Sequence, residues 1–250
     1  MTEFLTTPGG RRLAYCRTPG KGPGIFFLHG LKSDMEGTKA LALEAWARAE
    51  GRAFLRFDCS GHGRSSGAFT EGTIGDWLAD AHAVLAALTE GPQVVVGSSM
   101  GGWLALLLAR AVPERFAGLV TIAAAPDFTE DGFWAGFSAG QRHRLATQGF
   151  VDLPSEHGEP YRITRRLIED GRNHLVLRSP LALPMPARFL QGSADTAVPQ
   201  AWAERLFAHA TGPDLRLTLV KGADHRFSGP SELRLIEAAV AEVVAARPAP

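Results

Sequence analysis

Residues 94–103 read VVVGSSMGGW, two serines among glycines behind a run of valines. Three readings compete: a phosphate-cradling loop, a structural turn, or a nucleophile held at a strand end. A phosphate loop of the G-x-x-x-x-G-K-[ST] type needs a lysine after its glycines, and none follows here. A dinucleotide fingerprint follows the first strand of its fold, whereas this stretch closes the fifth strand-like run. Gly97-Ser98-Ser99-Met100-Gly101 instead fits G-x-S-x-G centred on Ser99. The β-rich run before it and the helical pattern MGGWLALLLARAV after it supply the required strand–turn–helix context. On so sharp a turn flanking side chains would collide with neighbouring elements, which explains the glycines. The helix N-terminus favours negative charge developing nearby. Ser99 is then the nucleophile, and Ser98 a turn residue whose side chain points elsewhere.

Working outward, the runs GIFFLHG, RAFLRFD, QVVVGS, FAGLVTIAA, ARFLQG and RLTLVKG are nearly continuous in apolar residues. Strands buried on both faces of a mostly parallel sheet read this way. EFLTT and RRLAYCR around Pro-Gly-Gly predict an N-terminal hairpin. Between the runs lie helical patterns, such as Ile74, Trp77, Leu78, Ala81, Leu85 and Leu88 on one face, with Thr73 and Asp76 at the helix start. PSELRLIEAAVAEVVAA behaves similarly. The alternation predicts one α/β domain over residues 1–250, a mostly parallel central sheet flanked by helices. Residues 128–178 break the rhythm: no clear strand appears, and aromatics and arginines are scattered through them. An insertion of this size between sheet strands is expected to be a lid over a ligand pocket. The only low-complexity segment is the short tail RPAP.

A serine nucleophile needs a base, and the base an orienting acid. Asp195, in FLQGSADTAVP, follows one strand run and precedes a helix beginning near Pro199; His225, in LTLVKGADHRF, follows the next strand run. Both fall at the sheet edge that carries Ser99, where open α/β folds place their sites. His62 is a weaker candidate base because it precedes the serine, while Asp127 and Asp224 are weaker candidate acids. An oxyanion hole needs two backbone N–H groups. Met100, next after the nucleophile, is expected to supply one, and Leu31, after GIFFLHG, the other, with His29 as structural support. The expected reaction is acyl transfer from an ester or thioester to Ser99, then hydrolysis. It requires no metal and no cofactor. Candidates for the acyl wall are Trp103, Phe128, Phe133, Trp134 and Phe137.

Bulk properties narrow the partners. Twenty-six basic residues balance 26 acidic ones, so no whole-chain field attracts nucleic acid or a membrane surface. The richest apolar run, WLALLLARAV, is too short to span a bilayer. The N-terminus has no basic or apolar leader pattern, and Cys16 and Cys59 lack zinc or disulfide spacing. A cytoplasmic monomer or small homo-oligomer acting on a small-molecule or acylated substrate is the expectation.

Over nearly its full length the sequence resembles the α/β-hydrolase superfamily. More narrowly it resembles the animal mitochondrial palmitoyl-protein thioesterases, also described as mycophenolic acid acyl-glucuronide esterases. The stretches that carry the resemblance are GTKALALE (37–44), RFDCSGHGRSSG (56–67), GPQVVVGSSMGGWL (91–104), SPLALPMPARFLQG (179–192) and DHR (224–226). It implies an α/β-hydrolase fold with Ser99, Asp195 and His225 as the triad, and acyl thioesters or acyl glucuronides as substrates. The chain departs from those relatives at His29, where they have proline, and at Cys59, where they have an aromatic. It is also expected to lack their mitochondrial leader, and the insertion matches least.

Overall fold

The chain opens on a hairpin of β1 (Glu3–Thr6) and β2 (Arg12–Thr18), in register from Glu3 opposite Tyr15 to Thr6 opposite Arg12. The computed structural model describes residues 1–154 and 160–246. The RPAP tail and residues 155–159 of the expected lid lie outside them. Strand and helix then alternate as the periodicities predict. β3 (Lys21–Leu28), α1 (Thr38–Ala49), β4 (Arg52–Phe57) and α2 (Ile74–Leu88) come first. β5 (Gln93–Ser98), α3 (Met100–Ala111) and β6 (Phe116–Ile122) follow.

After β6 the chain leaves the sheet. A π-helical segment (Phe128–Trp134) leads to α4 (Ala139–Gln148), β7 (Phe150–Leu153), β8 (Tyr161–Thr164) and α5 (Arg165–Gly171). β7 and β8 form an antiparallel pair where no clear strand was expected. Each has four residues, too few for alternation to register in the sequence. Cross-strand contacts hold the pair: Arg162 donates to both carboxylate oxygens of Asp152 at 2.8 and 2.9 Å, and its guanidinium lies over the Phe150 ring. The chain returns through β9 (Leu181–Ala182), β10 (Ala187–Gly192), α6 (Gln200–His209), β11 (Ala210–Thr211), β12 (Leu215–Val220) and α7 (Pro230–Ala245).

Eight strands form one sheet in the order β1-β2-β4-β3-β5-β6-β10-β12, in which β2 runs against its neighbours. Period-two alternation splits its apolar residues between two cores. Ile25, Phe27, Val94, Val96, Val120 and Ile122 face α1 and α7. Phe26, Leu28, Val95 and Leu119 face α2 and α3. A sheet covered on both faces is why the strand runs are nearly continuous in apolar residues. α2 begins as read, with the Thr73 hydroxyl accepting from the Asp76 amide at 3.1 Å. Among the described residues no helix is long and apolar enough to cross a membrane.

On α1, Leu43 is 1% exposed against the sheet and Leu41, two residues away, is 44% exposed. Truncation should therefore be sharply position-dependent. Leu43→Ala is expected to cost roughly 2–5 kcal/mol, and Leu41→Ala to stay within about 0.5 kcal/mol, in urea unfolding. Equal losses at the two positions would contradict this packing.

Candidate active site

The elbow between β5 and α3 follows from two glycines. A Cβ on Gly97 would lie 2.3 Å from the Gly101 carbonyl oxygen, and one on Gly101 would lie 2.1 Å from that of Leu28. Only bare backbone allows α3 to start this close under the sheet. The turn forces Ser99 to φ 54° and ψ −117°, a region that an L-residue occupies only when its surroundings impose it. Here they do: the Ser99 amide donates to the Ile122 carbonyl at 2.9 Å, and the Ala125 amide donates to the Ser99 carbonyl at 3.1 Å. Ser98, the last residue of β5, is buried.

From there the polar chain runs outward. Ser99 Oγ lies 3.2 Å from His225 Nε2, and His225 Nδ1 lies 2.8 Å from Asp195 Oδ2. Asp195 follows β10 and His225 follows β12, so adjacent parallel strands deliver both loops to one edge. The Asp195 side chain is fully buried. Its Oδ1 accepts from the Ala197 and Val198 amides at 2.9 and 2.8 Å, and its Oδ2 from Gln191 Nε2 at 3.0 Å. Burial pushes this carboxyl up, but the hydrogen bonds from His225, Val198 and Gln191 outweigh it and hold Asp195 below the ordinary carboxylate range.

The rival groups are occupied elsewhere. Asp127 is fully buried, but it accepts from the Val176 and Leu177 amides at 2.8 and 3.1 Å and from Arg178 at 3.1 Å, so it ties the insertion's end to the sheet. Asp224 is exposed and accepts from the Phe227 amide. His62 and His29 are buried with ring centroids 4.9 Å apart. His29 Nε2 accepts from the Cys59 amide at 3.0 Å, and His62 Nε2 from the Lys32 amide at 3.2 Å. Burial and the neighbouring His29 pull His62 down to about 3, and burial lowers His29 as well. Both rings therefore stay neutral and brace the loop that carries Leu31.

Leu31, Ser99, Met100 and His225 share a cavity of about 430 Å³, walled by Phe128, Phe133, Tyr161, Val198 and Trp202. The Met100 amide belongs to the first turn of α3, where a helix supplies no acceptor. Of the expected acyl wall, Phe128 and Phe133 line this space. Trp103 does not: it is a fully buried residue of α3, edge-on to Phe128, and its indole donates to the His174 carbonyl. Trp134 also lies off the cavity, its ring flanked by the Arg142 and Arg172 guanidiniums, and Phe137 stacks behind Phe133. Tyr161 and Trp202 were not singled out in the sequence. Trp202 had a signal, since it sits one helical turn past the Asp195 loop; Tyr161 had none. A larger hollow of about 590 Å³ lies at the opposite sheet edge, among Pro23, Pro92 and Pro186, remote from these groups. Among the described residues no cluster of three or more His, Cys, Asp or Glu could hold a metal.

A sequence description named Alpha/beta hydrolase family matches residues 25–246. The chain belongs to that family. This α/β hydrolase is 36% identical over 236 residues to the Bos taurus protein "Palmitoyl-protein thioesterase ABHD10, mitochondrial", covering 94% of this chain and 77% of the relative. A putative hydrolase from Agrobacterium vitis S4 superimposes with a TM-score of 0.94 at 38% identity, covering 98% of each chain. Alpha/beta hydrolase domain-containing protein 10 from mouse does so with a TM-score of 0.90 at 34% identity, again over 98% of each. The chain is thus a hydrolytic enzyme. The curated relative's name places that protein in mitochondria, whereas a cytoplasmic setting was expected here.

Asp195 also links the site to stability. Its depressed pKa means that its ionisation stabilises the fold above the ordinary value of 3.8, and that this contribution is lost as pH falls through the lower folded value. Wild type and Asp195→Asn should therefore differ in urea midpoint near neutrality and converge as pH drops below that ordinary value. A gap that persists unchanged into strong acid would contradict the bonding described.

Proposed function

We propose that the enzyme hydrolyses acyl esters and thioesters through an acyl-enzyme on Ser99, with His225 as base and Asp195 as its orienting acid. The observation that carries this reading is the continuous chain Ser99 Oγ–His225 Nε2, His225 Nδ1–Asp195 Oδ2 at the mouth of an apolar cavity. His225 Nε2 takes the hydroxyl proton as Oγ bonds to the acyl carbon. The carbonyl π pair moves onto oxygen, where the Met100 and Leu31 amides receive the negative charge. As the carbonyl reforms, the bond to the leaving oxygen or sulfur breaks, and His225 returns its proton to that atom. Water then repeats the sequence, releasing the acid and restoring Ser99. No cofactor enters these steps.

The acyl chain occupies the cavity walled by Phe128, Phe133, Tyr161 and Trp202. Two of these come from the π-helical segment and one from β8, so the insertion serves as the lid of a single domain. An apolar acyl group fits such a wall, in keeping with the palmitoyl-protein thioesterase named among the relatives. Acyl glucuronides present the same carbonyl chemistry and belong in the same substrate panel. Cys16 and Cys59, both buried and unpaired, support residence in a reducing compartment.

A fluorophosphonate probe should label Ser99, and Ser99→Ala should abolish labelling and lower kcat on p-nitrophenyl esters by at least about a thousandfold. Wild-type turnover in Ser99→Ala would overturn the assignment. Multiple turnovers by the wild type separate an enzyme from a receptor that hydrolyses one ligand and stops. Extending the acyl chain from acetyl to decanoyl should raise kcat/KM, and indifference to length would refute the apolar wall.

A further inference from the structure

A second cavity, of about 270 Å³, opens on the other side of Ser99 and His225. Its character is different: Ser33, Asp34, Thr38, Lys39, Arg226 and Ser228 contribute to its wall. A carbonyl carbon bonded to Ser99 carries two substituents that must diverge. If the acyl chain takes the apolar side, the leaving group has this polar side, where His225 can protonate it. Lys39 is half-buried in the first turn of α1, and its ammonium donates to the Arg226 carbonyl in the loop that carries His225. An ammonium offers three donors, and among the described residues this is the one acceptor it is given. Gly37, at the start of α1, provides no side-chain cap, and the first turn of α1 holds no acidic residue. Asp34 is the one carboxylate on the wall, and its Oδ1 already accepts from the Glu36 amide at 2.8 Å.

Resting on the Ser99 reading above, we propose that this cavity is the leaving-group subsite and that Lys39 makes it select alcohols and thiols bearing a carboxylate near the scissile bond. Burial and the neighbouring Arg226 pull Lys39 down to about 8, against Asp224 and Asp195, which raise it. The group remains a cation at neutral pH, partly withdrawn from water, and a substrate carboxylate would give it an anionic acceptor. The small volume favours a compact leaving group.

The test compares two thioesters with the same decanoyl chain, one on 3-mercaptopropionate and one on 2-mercaptoethanol, with the full-length enzyme. Wild type is expected to prefer the anionic substrate by about tenfold in kcat/KM, the range of one charge-assisted hydrogen bond. Lys39→Met should bring the ratio to near one, and Lys39→Arg should restore part of it. A wild-type ratio of one overturns the proposal. So does a Lys39→Met enzyme that loses equally on both substrates, since that marks a brace between α1 and the His225 loop. Failure of the Ser99 reading looks different: Ser99→Ala would then cleave both thioesters like the wild type, whatever the ratio.

Discussion

Two backbones pass almost in contact where α3 starts beneath the end of β3, and the site is built around that passage. With side chains at positions 97 and 101 the helix would have to withdraw from the sheet. The Met100 amide would move with it, and Ser99 would relax out of its left-handed conformation. Backbone of this kind costs about 1–3 kcal/mol per residue and persists only where neighbours over-determine it. The buried β5–β6 ladder does so here, through the Ile122 carbonyl and the Ala125 amide. Lys32, Ala123, Asp127 and Phe227 share the positive φ of Ser99, and all five lie in loops at the carboxyl ends of β3, β5, β6 and β12. Strain is thus concentrated on the edge that holds the chemistry, and the regular parts of the sheet bear it.

Asp127 and Asp195 show how neighbours, more than residue type, assign a carboxylate its work. Each is buried and each follows a sheet strand. Asp127 spends its oxygens on two amides and an arginine of the returning insertion, and burial still leaves its carboxyl above the ordinary range. Asp195 keeps one oxygen for a tight turn and turns the other toward an imidazole. The first arrangement fastens an insertion, and the second orients a ring.

Much of this was legible in the amino-acid sequence because it depends on strongly periodic, buried elements. The six apolar runs are six strands of the main sheet, and G-x-S-x-G marks the elbow because its glycines answer a steric demand. Chain order and strand ends sufficed to bring Asp195 and His225 to Ser99. Illegible parts depend on contacts between distant segments. Tyr161 and Trp202 meet Phe128 and Phe133 only after the insertion folds back, and four-residue strands leave no periodic trace. Trp103 and Trp134 look like equal candidates in one dimension. In three, one is buried on α3 against Phe128 and the other lies among arginines. Lys39, 60 residues before Ser99, lies in the GTKALALE stretch, but no chemistry-bearing spacing singles it out there.

The buried His29 and His62 rings, tilted against each other, brace the loop that carries Leu31. Each accepts a backbone hydrogen bond at Nε2, a role that exists only in the uncharged imidazole. Protonation of either ring would break that bond, and burial lowers the pKa of both. The loop that carries Leu31 is therefore held by uncharged groups. His225, by contrast, keeps its side chain partly open to solvent, while His29 and His62 are buried. In the two buried rings the nitrogen that a proton would need is held by the backbone instead.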